Sequence, residues 1–331
     1  MDRGIICAGC WTFDRIKIIN QWPAEESLAQ IISQDHQGGG SAHNVSMDLK
    51  SLDRTLPVYG MGLIGSDPEG DFLFNQAQSK GIDTSGLIRT NNHSTSYTDV
   101  LSVQSSAKRT FFHYAGANDA LTPDHFDFEG TAAKWLHLGL LGVHATLDRP
   151  WQTDANGWVC VLKKAKAAGL STNIELVTID PERNRQLCLP CLPYLDTLIV
   201  NDQEIGGLAG IETLSGGHAQ IELCEQAAVD IMKLGAMHTV VVHFPAGSVC
   251  VQRDKKPIVT ESVHVPKEEL VGTVGAGDAF TAGLLYGLHE SWPIEDAIEL
   301  AHATAATSLH SATTVGSVRT VEQCLRYARQ T

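Results

Sequence analysis

The chain has 331 residues, of which 43% are hydrophobic and 19% are charged, so it is typical of a globular protein that can bury a substantial core. Its formal charge of −14 argues against a nucleic-acid-binding surface, which needs clustered lysine and arginine. No apolar run approaches the roughly 18 residues that span a bilayer, and the first residues show no secretory signal. We therefore expect a cytoplasmic protein with neither nucleic-acid nor membrane partners.

The first predicted strand occupies residues 4–10, and Asp14 lies at the start of a second, more exposed strand. Eight cysteines are too few for a disulfide scaffold in a chain of this length, so reduced thiols are expected. Two Cys-x-x-Cys pairs, at 7–10 and 188–191, offer four zinc ligands, but residues three apart in a strand point to opposite faces. Buried thiols are the better interpretation, and we expect no metal held by a protein cage.

The middle of the chain alternates apolar strands with helical stretches. Residues 58–67 read as a strand and turn before a helix, and residues 95–114 alternate as a half-exposed sheet would. The apolar run at 135–142 is typical of a strand buried on both faces, and its His137 is predicted to be a packed core histidine. This order predicts an α/β fold with a mainly parallel sheet between helices.

Two later strands end in polar residues. Asn201 and Glu204 follow the strand at 195–200, and the carboxyl ends of parallel strands are where α/β folds bind ligands. Capping of the next helix is the alternative role for both residues. Thr239–Phe244 is the clearest β-branched strand of the chain, and it carries His243 near its end.

A glycine-rich turn at Gly275, Ala276 and Gly277 leads directly into Asp278 and a helix. Small residues let the backbone approach a ligand closely, and the free amides at a helix N-terminus favour an anion. Asp278 beside that anion hole is placed to accept a proton. An anion hole next to a carboxylate base suits phosphoryl transfer to an alcohol.

This motif and an earlier glycine motif resemble the two signatures of the ribokinase-like (PfkB) family of sugar and nucleoside kinases. The residues that carry the resemblance are Gly39, Gly40 and Asn44 in the first motif and Gly275, Ala276, Gly277 and Asp278 in the second. The resemblance implies a single domain over residues 1–331, built as a three-layer α/β/α sandwich. It also implies a small β-sheet lid with strands inserted at about 12–20 and 95–115, which family members often use to form a homodimer.

The family pattern assigns roles to individual residues. The resemblance implies that the sugar or sugar-acid substrate is bound by Asp14, Gly39, Gly40 and Asn44, with Arg109 from the lid as a weaker candidate for an anionic group. It implies that the nucleotide is bound by Asn201, Glu204, His243, Gly247, Thr273, Gly275, Gly277 and His302. Many relatives carry an acid near Asn173 and Glu175, but the alignment there leaves any substrate role open.

The function implied is ATP-dependent phosphorylation of a hydroxyl group on a sugar or sugar derivative. Asp278 would be the general base, the amides at 275–277 would form the anion hole, and Mg²⁺ would be bound mainly through phosphates and water. Two alternatives stay open. One is a nucleoside kinase, and the other is a non-catalytic sugar-binding regulatory protein on the kinase scaffold.

Three departures from the family pattern concern the nucleotide and cation surroundings. Gly272 stands where relatives usually have an aspartate that helps to bind an activating monovalent cation, so we expect weak or absent potassium dependence. Pro245 replaces a glycine and removes a backbone donor. His302 stands where relatives often place an asparagine near the adenine. Nucleotide contacts are therefore expected to differ from those of relatives.

Overall fold

The computed structural model of the protein describes residues 3–105, 109–311 and 313–330. Within these residues, no helix is long and apolar enough to cross a membrane. All eight cysteines are free thiols, and seven of them are buried.

The strands are assigned in chain order. They are β1 (Ile5–Gly9), β2 (Thr12–Ile19), β3 (Ile31–Gly39), β4 (Val58–Gly65), β5 (Asp83–Thr90), β6 (Tyr97–Val103), β7 (Arg109–Tyr114), β8 (Trp135–Gly139), β9 (Ser171–Ile174), β10 (Thr197–Asn201), β11 (Leu214–Ser215), β12 (His218–Ala219), β13 (Thr239–Phe244), β14 (Gly247–Gln252) and β15 (Ile258–Glu261). Nine of them form the central sheet, in the order β15-β14-β13-β10-β9-β8-β1-β4-β5. The strands from β13 to β5 in that order all pair in parallel, and β14 and β15 add an antiparallel edge.

Helices cover both faces of the central sheet. They are α1 (Ser41–Leu52), α2 (Pro68–Ser79), α3 (Gly157–Ala167), α4 (Pro181–Cys188), α5 (Asp202–Ala209), α6 (Ile221–Leu234), α7 (Ala276–His289), α8 (Ile294–Ser308) and α9 (Val321–Ala328), with short 3₁₀ helices at Gly116–Ala120, Pro123–His125 and Leu189–Tyr194. Because alternate strand residues point to opposite faces, Ile6 joins a core with α3, α5 and α6, whereas Ile5 joins one with α1, α7 and α8. The predicted three-layer sandwich is confirmed.

A separate four-stranded sheet lies beside the sandwich, in the order β3-β2-β6-β7. Its strands β2, β6 and β7 lie in the segments expected to be exposed strands, and β3 was not predicted. The residues of β3 from Ile31 to His36 are all exposed, so the strand lacks the alternation of buried and exposed positions that marks a half-buried sheet. Strand β3 leads through Gly39 directly to helix α1, which ties the small sheet to the sandwich.

Helices α7 and α8 pack closely because α7 carries glycine where α8 approaches it. A Cβ atom on Gly283 would lie 2.8 Å from the Cα of Ala301, and one on Gly287 would lie 2.5 Å from the Cβ of Ala297. The structural role predicted for these two glycines is confirmed. The tight packing fixes the axis of α7 and thereby the direction in which its N-terminus points.

Candidate active site

The carboxyl ends of the parallel strands meet the N-terminus of α7 at one edge of the sheet. Asn201 and His243 are paired in register near the ends of β10 and β13. Beyond them lies a cavity of about 200 Å³. Seven residues that line it are Glu175, Asn201, Glu204, His243, Gly275, Gly277 and Asp278. The fold therefore collects the second glycine motif and three residues from separate strand ends around one space.

The N-terminus of α7 depends on a glycine. Gly275 precedes the helix with φ +83°, a left-handed conformation, and a Cβ there would lie 2.5 Å from the carbonyl oxygen of Thr314. Any side chain at this position would strain the turn. The first amides of a helix have no carbonyl partner within it, so the turn presents N–H donors and the positive end of the helix dipole to the cavity.

Asp278 lies in the first turn of α7, and its carboxylate has two neighbours from other elements. The Asn44 side-chain amide on α1 donates a hydrogen bond of 2.9 Å to Asp278 Oδ2. The Glu175 carboxyl group shares a hydrogen bond with Asp278, and burial followed by the charge of Glu175 raises the pKa of Asp278 well above its usual range. Both signature motifs thus meet at the same carboxyl group.

Two of the residues predicted to bind the acceptor interact with Asp278, Asn44 by a hydrogen bond and Asp14 through charge. Asp14 on β2 packs against the backbone of Gly39, since a Cβ atom added to Gly39 would lie 2.2 Å from Asp14 Oδ2. The pKa of Asp14 is raised to about 7. Burial is the largest cause, a hydrogen bond from the Thr98 hydroxyl partly offsets it, and the charge of Asp278 adds to it. Gly40 instead faces the backbone of Cys10 and adopts φ +84° at the start of α1.

Glu175 belongs to a buried hydrogen-bond network behind Asp278. The Ser41 hydroxyl donates to Glu175 Oε2 at 3.0 Å, and His137 Nε2 lies 3.0 Å from the same oxygen. The Asn173 amide donates to His137 Nδ1 at 3.0 Å, and strands β8 and β9 place these two residues in register. Burial raises the pKa of Glu175 to about 7 and lowers the pKa of His137 to about 4.

A larger cavity of about 590 Å³ adjoins the first one and is mostly apolar. Asn201, His243 and Gly277 line both cavities, and Thr273 and His302 line the larger one. Burial lowers the pKa of both histidines to about 4, so both rings are neutral at neutral pH. An apolar cavity that opens onto a helix N-terminus can hold a flat base at one end and phosphates at the other.

Residues 9–320 match the pfkB family of carbohydrate kinases. The chain belongs to this family. A ribokinase of Arabidopsis thaliana is 25% identical to this pfkB kinase over 307 residues, which cover 91% of this chain and 75% of that protein. An ATP-dependent ribose-1-phosphate kinase of Halopiger xanaduensis is 27% identical over 308 residues, which cover 91% and 90% of the two chains. The predicted enzyme class, an ATP-dependent carbohydrate kinase, is confirmed.

Solved structures show the same fold as this pfkB kinase. The structure of Arabidopsis thaliana ribokinase complexed with ribose and ATP has a TM-score of 0.81 at 22% identity and covers 99% of both chains. The ribokinase of Giardia lamblia has a TM-score of 0.82 at 17% identity, covering 100% of this chain and 99% of that one. At such identities the likeness establishes the ribokinase-like fold alone.

Some of the predicted nucleotide residues also have structural roles in this pfkB kinase. The side-chain oxygen of Asn201 caps α5 by accepting a hydrogen bond of 2.8 Å from the backbone N–H of Glu204. The Glu204 carboxyl group in turn accepts one of 3.0 Å from the backbone N–H of Asn201. The capping role considered from the sequence is therefore present, and both side chains still border the smaller cavity. Gly247 is the first residue of β14, where it pairs with Phe244, and it borders neither cavity.

Arg109 is described only by its backbone, at the start of β7, and its side chain lies outside the described part of the kinase. Strand register pairs Arg109 with Ser102, whereas Asp14 pairs with Thr98. Four residues along β6 separate the two rungs, which is ~13 Å of strand. The backbone of Arg109 is thus well removed from the predicted acceptor residues.

Sequence reasoning overlooked Ser41, Thr98 and the role of His137. Ser41 follows the first glycine motif and Thr98 lies in an alternating strand, so neither residue type nor spacing distinguishes them. His137 is a buried histidine, as predicted, but it is hydrogen-bonded to the site. A polar pair on adjacent buried strands, His137 beside Asn173, is the signal that was present in the sequence, and strand order is needed to recognise it.

Proposed function

We propose that this kinase transfers the γ-phosphoryl group of ATP to a hydroxyl of an uncharged sugar, with Asp278 as the general base. The observation that supports this most is the position of Asp278 between two sets of residues. Asp278 borders the smaller cavity with Gly275 and Gly277, it accepts a hydrogen bond from Asn44, and its charge acts on Asp14, which packs against Gly39. A hydroxyl held there faces both the base and the transferred phosphoryl group.

In this proposal the acceptor hydroxyl gives its proton to Asp278 while its oxygen forms the new bond to phosphorus. The bond from the γ-phosphorus to ADP breaks, and the bridging oxygen leaves with the electron pair. The amides of Gly275, Ala276 and Gly277 stabilise negative charge on the transferred group. His243 and Thr273 border the space that the polyphosphate would occupy.

The charge around the acceptor residues supports an uncharged substrate. Asp14, Glu175 and Asp278 converge there, and among the described residues no lysine or arginine acts on the pKa of any of the three. A phosphate or carboxylate on the acceptor would meet carboxylates without a compensating cation. Sugar hydroxyls, in contrast, donate hydrogen bonds to carboxylate oxygens.

Mg²⁺ fits the donor atoms at the cavity edge. Glu204 and Asn201 offer oxygen ligands, which Mg²⁺ prefers, and the described residues contain no cluster of three metal-binding side chains. In this proposal the cation is held mainly through phosphates and water, and Glu204 and Asn201 orient that water. When bound, Mg²⁺ would neutralise charge on the β- and γ-phosphates.

The proposal is tested by measuring ADP release with Mg·ATP and a panel of acceptors. We expect turnover with neutral pentoses or hexoses and little with sugar phosphates, sugar acids or nucleosides. Asp278→Asn should lower kcat by ~10²–10⁴-fold while ATP binding, measured by calorimetry, is kept. Asp124→Asn, an exposed substitution of the same kind, is the control. Near-wild-type turnover of Asp278→Asn would refute the role of the base, and turnover with nucleosides alone would favour a nucleoside kinase.

We also propose a homodimer through the small sheet. Ile18 and Phe111 lie on the same face of this sheet as Asp14 and are 37% and 57% exposed. Apolar side chains gathered on one exposed face are typical of a protein interface. Ile18→Asp with Phe111→Asp should give a monomer in analytical ultracentrifugation, whereas Val259→Asp, on the far edge of the central sheet, should not. A monomeric wild-type protein would refute the dimer.

A further inference from the structure

Glu175 has two buried hydrogen-bond partners, Ser41 and His137, and also hydrogen-bonds Asp278. Its Oε2 receives the Ser41 hydroxyl at 3.0 Å and lies 3.0 Å from His137 Nε2, while its carboxyl group also hydrogen-bonds Asp278. Ser41 and His137 are 2% and 0% exposed. Two donors therefore hold one oxygen of Glu175 and leave the carboxyl group directed at Asp278.

The proton positions in this network follow from its donors. The Asn173 amide donates to His137 Nδ1, so the neutral ring carries its proton on Nε2, which points at Glu175 Oε2 and Ser41 Oγ. Both donors thus stabilise the ionised form of Glu175. Asp278 and Glu175 can share a hydrogen bond only when one of them holds a proton, because two carboxylates repel each other.

The backbone is shaped to bring these groups together. A Cβ atom on Gly139, at the end of β8, would lie 2.7 Å from Ser41 Oγ and 3.2 Å from Glu175 Cβ. Glycine at this position leaves the space in which Ser41 and Glu175 meet. The same strand carries His137 two residues earlier. Strand β8 therefore supplies both the His137 donor and the glycine that leaves space for Ser41 and Glu175.

We propose that Glu175 shares one proton with Asp278, and that Ser41 and His137 are positioning residues that hold Glu175 in that arrangement. The inference rests on the proposed role of Asp278 as the base. Before Asp278 can accept the hydroxyl proton of the acceptor, the pair must release its shared proton. The network therefore sets the pH at which the enzyme becomes active.

Other titratable groups also face the pair, and the test must distinguish them from it. They are Asp14 on β2, Asp48 on α1, Glu204 on α5, His243 on β13 and the thiols of Cys7 and Cys10. Asp14, Asp48 and Glu204 act through charge alone, because none of them hydrogen-bonds Glu175 or Asp278 in the described structure. The test variants therefore leave these groups unchanged and alter only Glu175 and its two buried donors.

Three variants of the network should shift the pH at which the Glu175–Asp278 pair loses its proton, one downward and two upward. Glu175→Gln keeps an oxygen for Ser41 and His137 and presents an amide donor to Asp278, so Asp278 should lose its proton at a pH lower by about one unit or more. Ser41→Ala and His137→Ala each remove one donor to the Glu175 anion, so the pair should keep its proton to a higher pH. Ser46→Ala is the matched control, because Ser46 lies on the same helix as Ser41 and its hydroxyl donates to the His43 carbonyl.

Two measurements make the test. Side-chain carboxyl ¹³C NMR follows the titration of Asp278 and Glu175 without substrate, and the acid limb of kcat/KM against pH follows the same proton during turnover. We expect both to move down in Glu175→Gln, up in Ser41→Ala, and not at all in Ser46→Ala. An Asp278 carboxyl that titrates at the same pH in wild type and Glu175→Gln overturns the inference. Absence of turnover in the wild type refutes only the proposed function, because the NMR titration still reports the pair.

Discussion

Asp48 on α1 is a fully buried carboxyl group, and neither of its oxygens has a hydrogen-bond partner among the described residues. Burial raises its pKa well above the usual range, the charge of Asp278 raises it further, and Lys80 lowers it. Asp48 therefore holds a proton in the folded state under conditions in which the unfolded chain has released it. Such a group links the stability of the protein to pH.

The sign of this link follows from the raised pKa. The folded state binds one proton more than the unfolded state between the unfolded pKa, ~3.9, and the higher folded pKa. The free energy of unfolding therefore falls by ~1.4 kcal/mol for each pH unit across that window. Below the unfolded pKa the contribution is fully present, and it is lost as the pH rises through the folded pKa.

Asp48→Asn removes this titrating group, so the free energy of unfolding should depend less steeply on pH. Urea unfolding at several pH values above 4 should show a wild-type stability that falls more steeply than that of Asp48→Asn, by ~1.4 kcal/mol per pH unit. The variant should thus gain relative stability toward alkaline pH. Asp296→Asn, an exposed aspartate on α8, is the control and should follow the wild type. Parallel curves for wild type and Asp48→Asn would refute the buried, protonated state.

Two further predictions concern the nucleotide surroundings. Because Gly272 offers no carboxylate, we expect K⁺ and Na⁺ salts at equal ionic strength to give similar kcat, and strong activation by K⁺ alone would contradict this. His302 borders the larger cavity, and its Nε2 lies 2.9 Å from Ser248 Oγ. His302→Asn should change the KM for ATP by ~2- to 10-fold, the worth of about one hydrogen bond, with little change in kcat. A large loss of kcat with an unchanged KM would place His302 in the chemical step instead.

The second glycine motif could be read from the sequence because its chemistry is local. Gly275 and Asp278 are three residues apart, so a turn, free amides and a carboxylate follow from the chain itself. The strand Thr239–Phe244 was equally clear from its β-branched residues. Predictions of this kind need only one turn of helix or one strand.

Glu175 and His137 could not be assigned in the same way, because their roles depend on which strands are neighbours. The sequence does not show that β8 lies beside β9, and only that order brings His137 to Asn173 and Glu175 to Ser41. Strand β3 was missed for another reason, since it has no buried face before Gln37. Arg109 illustrates a third limit, because its distance from Asp14 depends on register within the small sheet.

The small sheet has a consequence for the order of folding. Strands β2 and β3 form one local hairpin, and β6 and β7 form another, but the sheet is complete only when β2 pairs with β6. That pairing joins Asp14 to Thr98 across α1, β4, α2 and β5, so the entropy of closing this long loop must be overcome first. We therefore expect the two local hairpins to form before Asp14 and Thr98 meet on the acceptor side of the site.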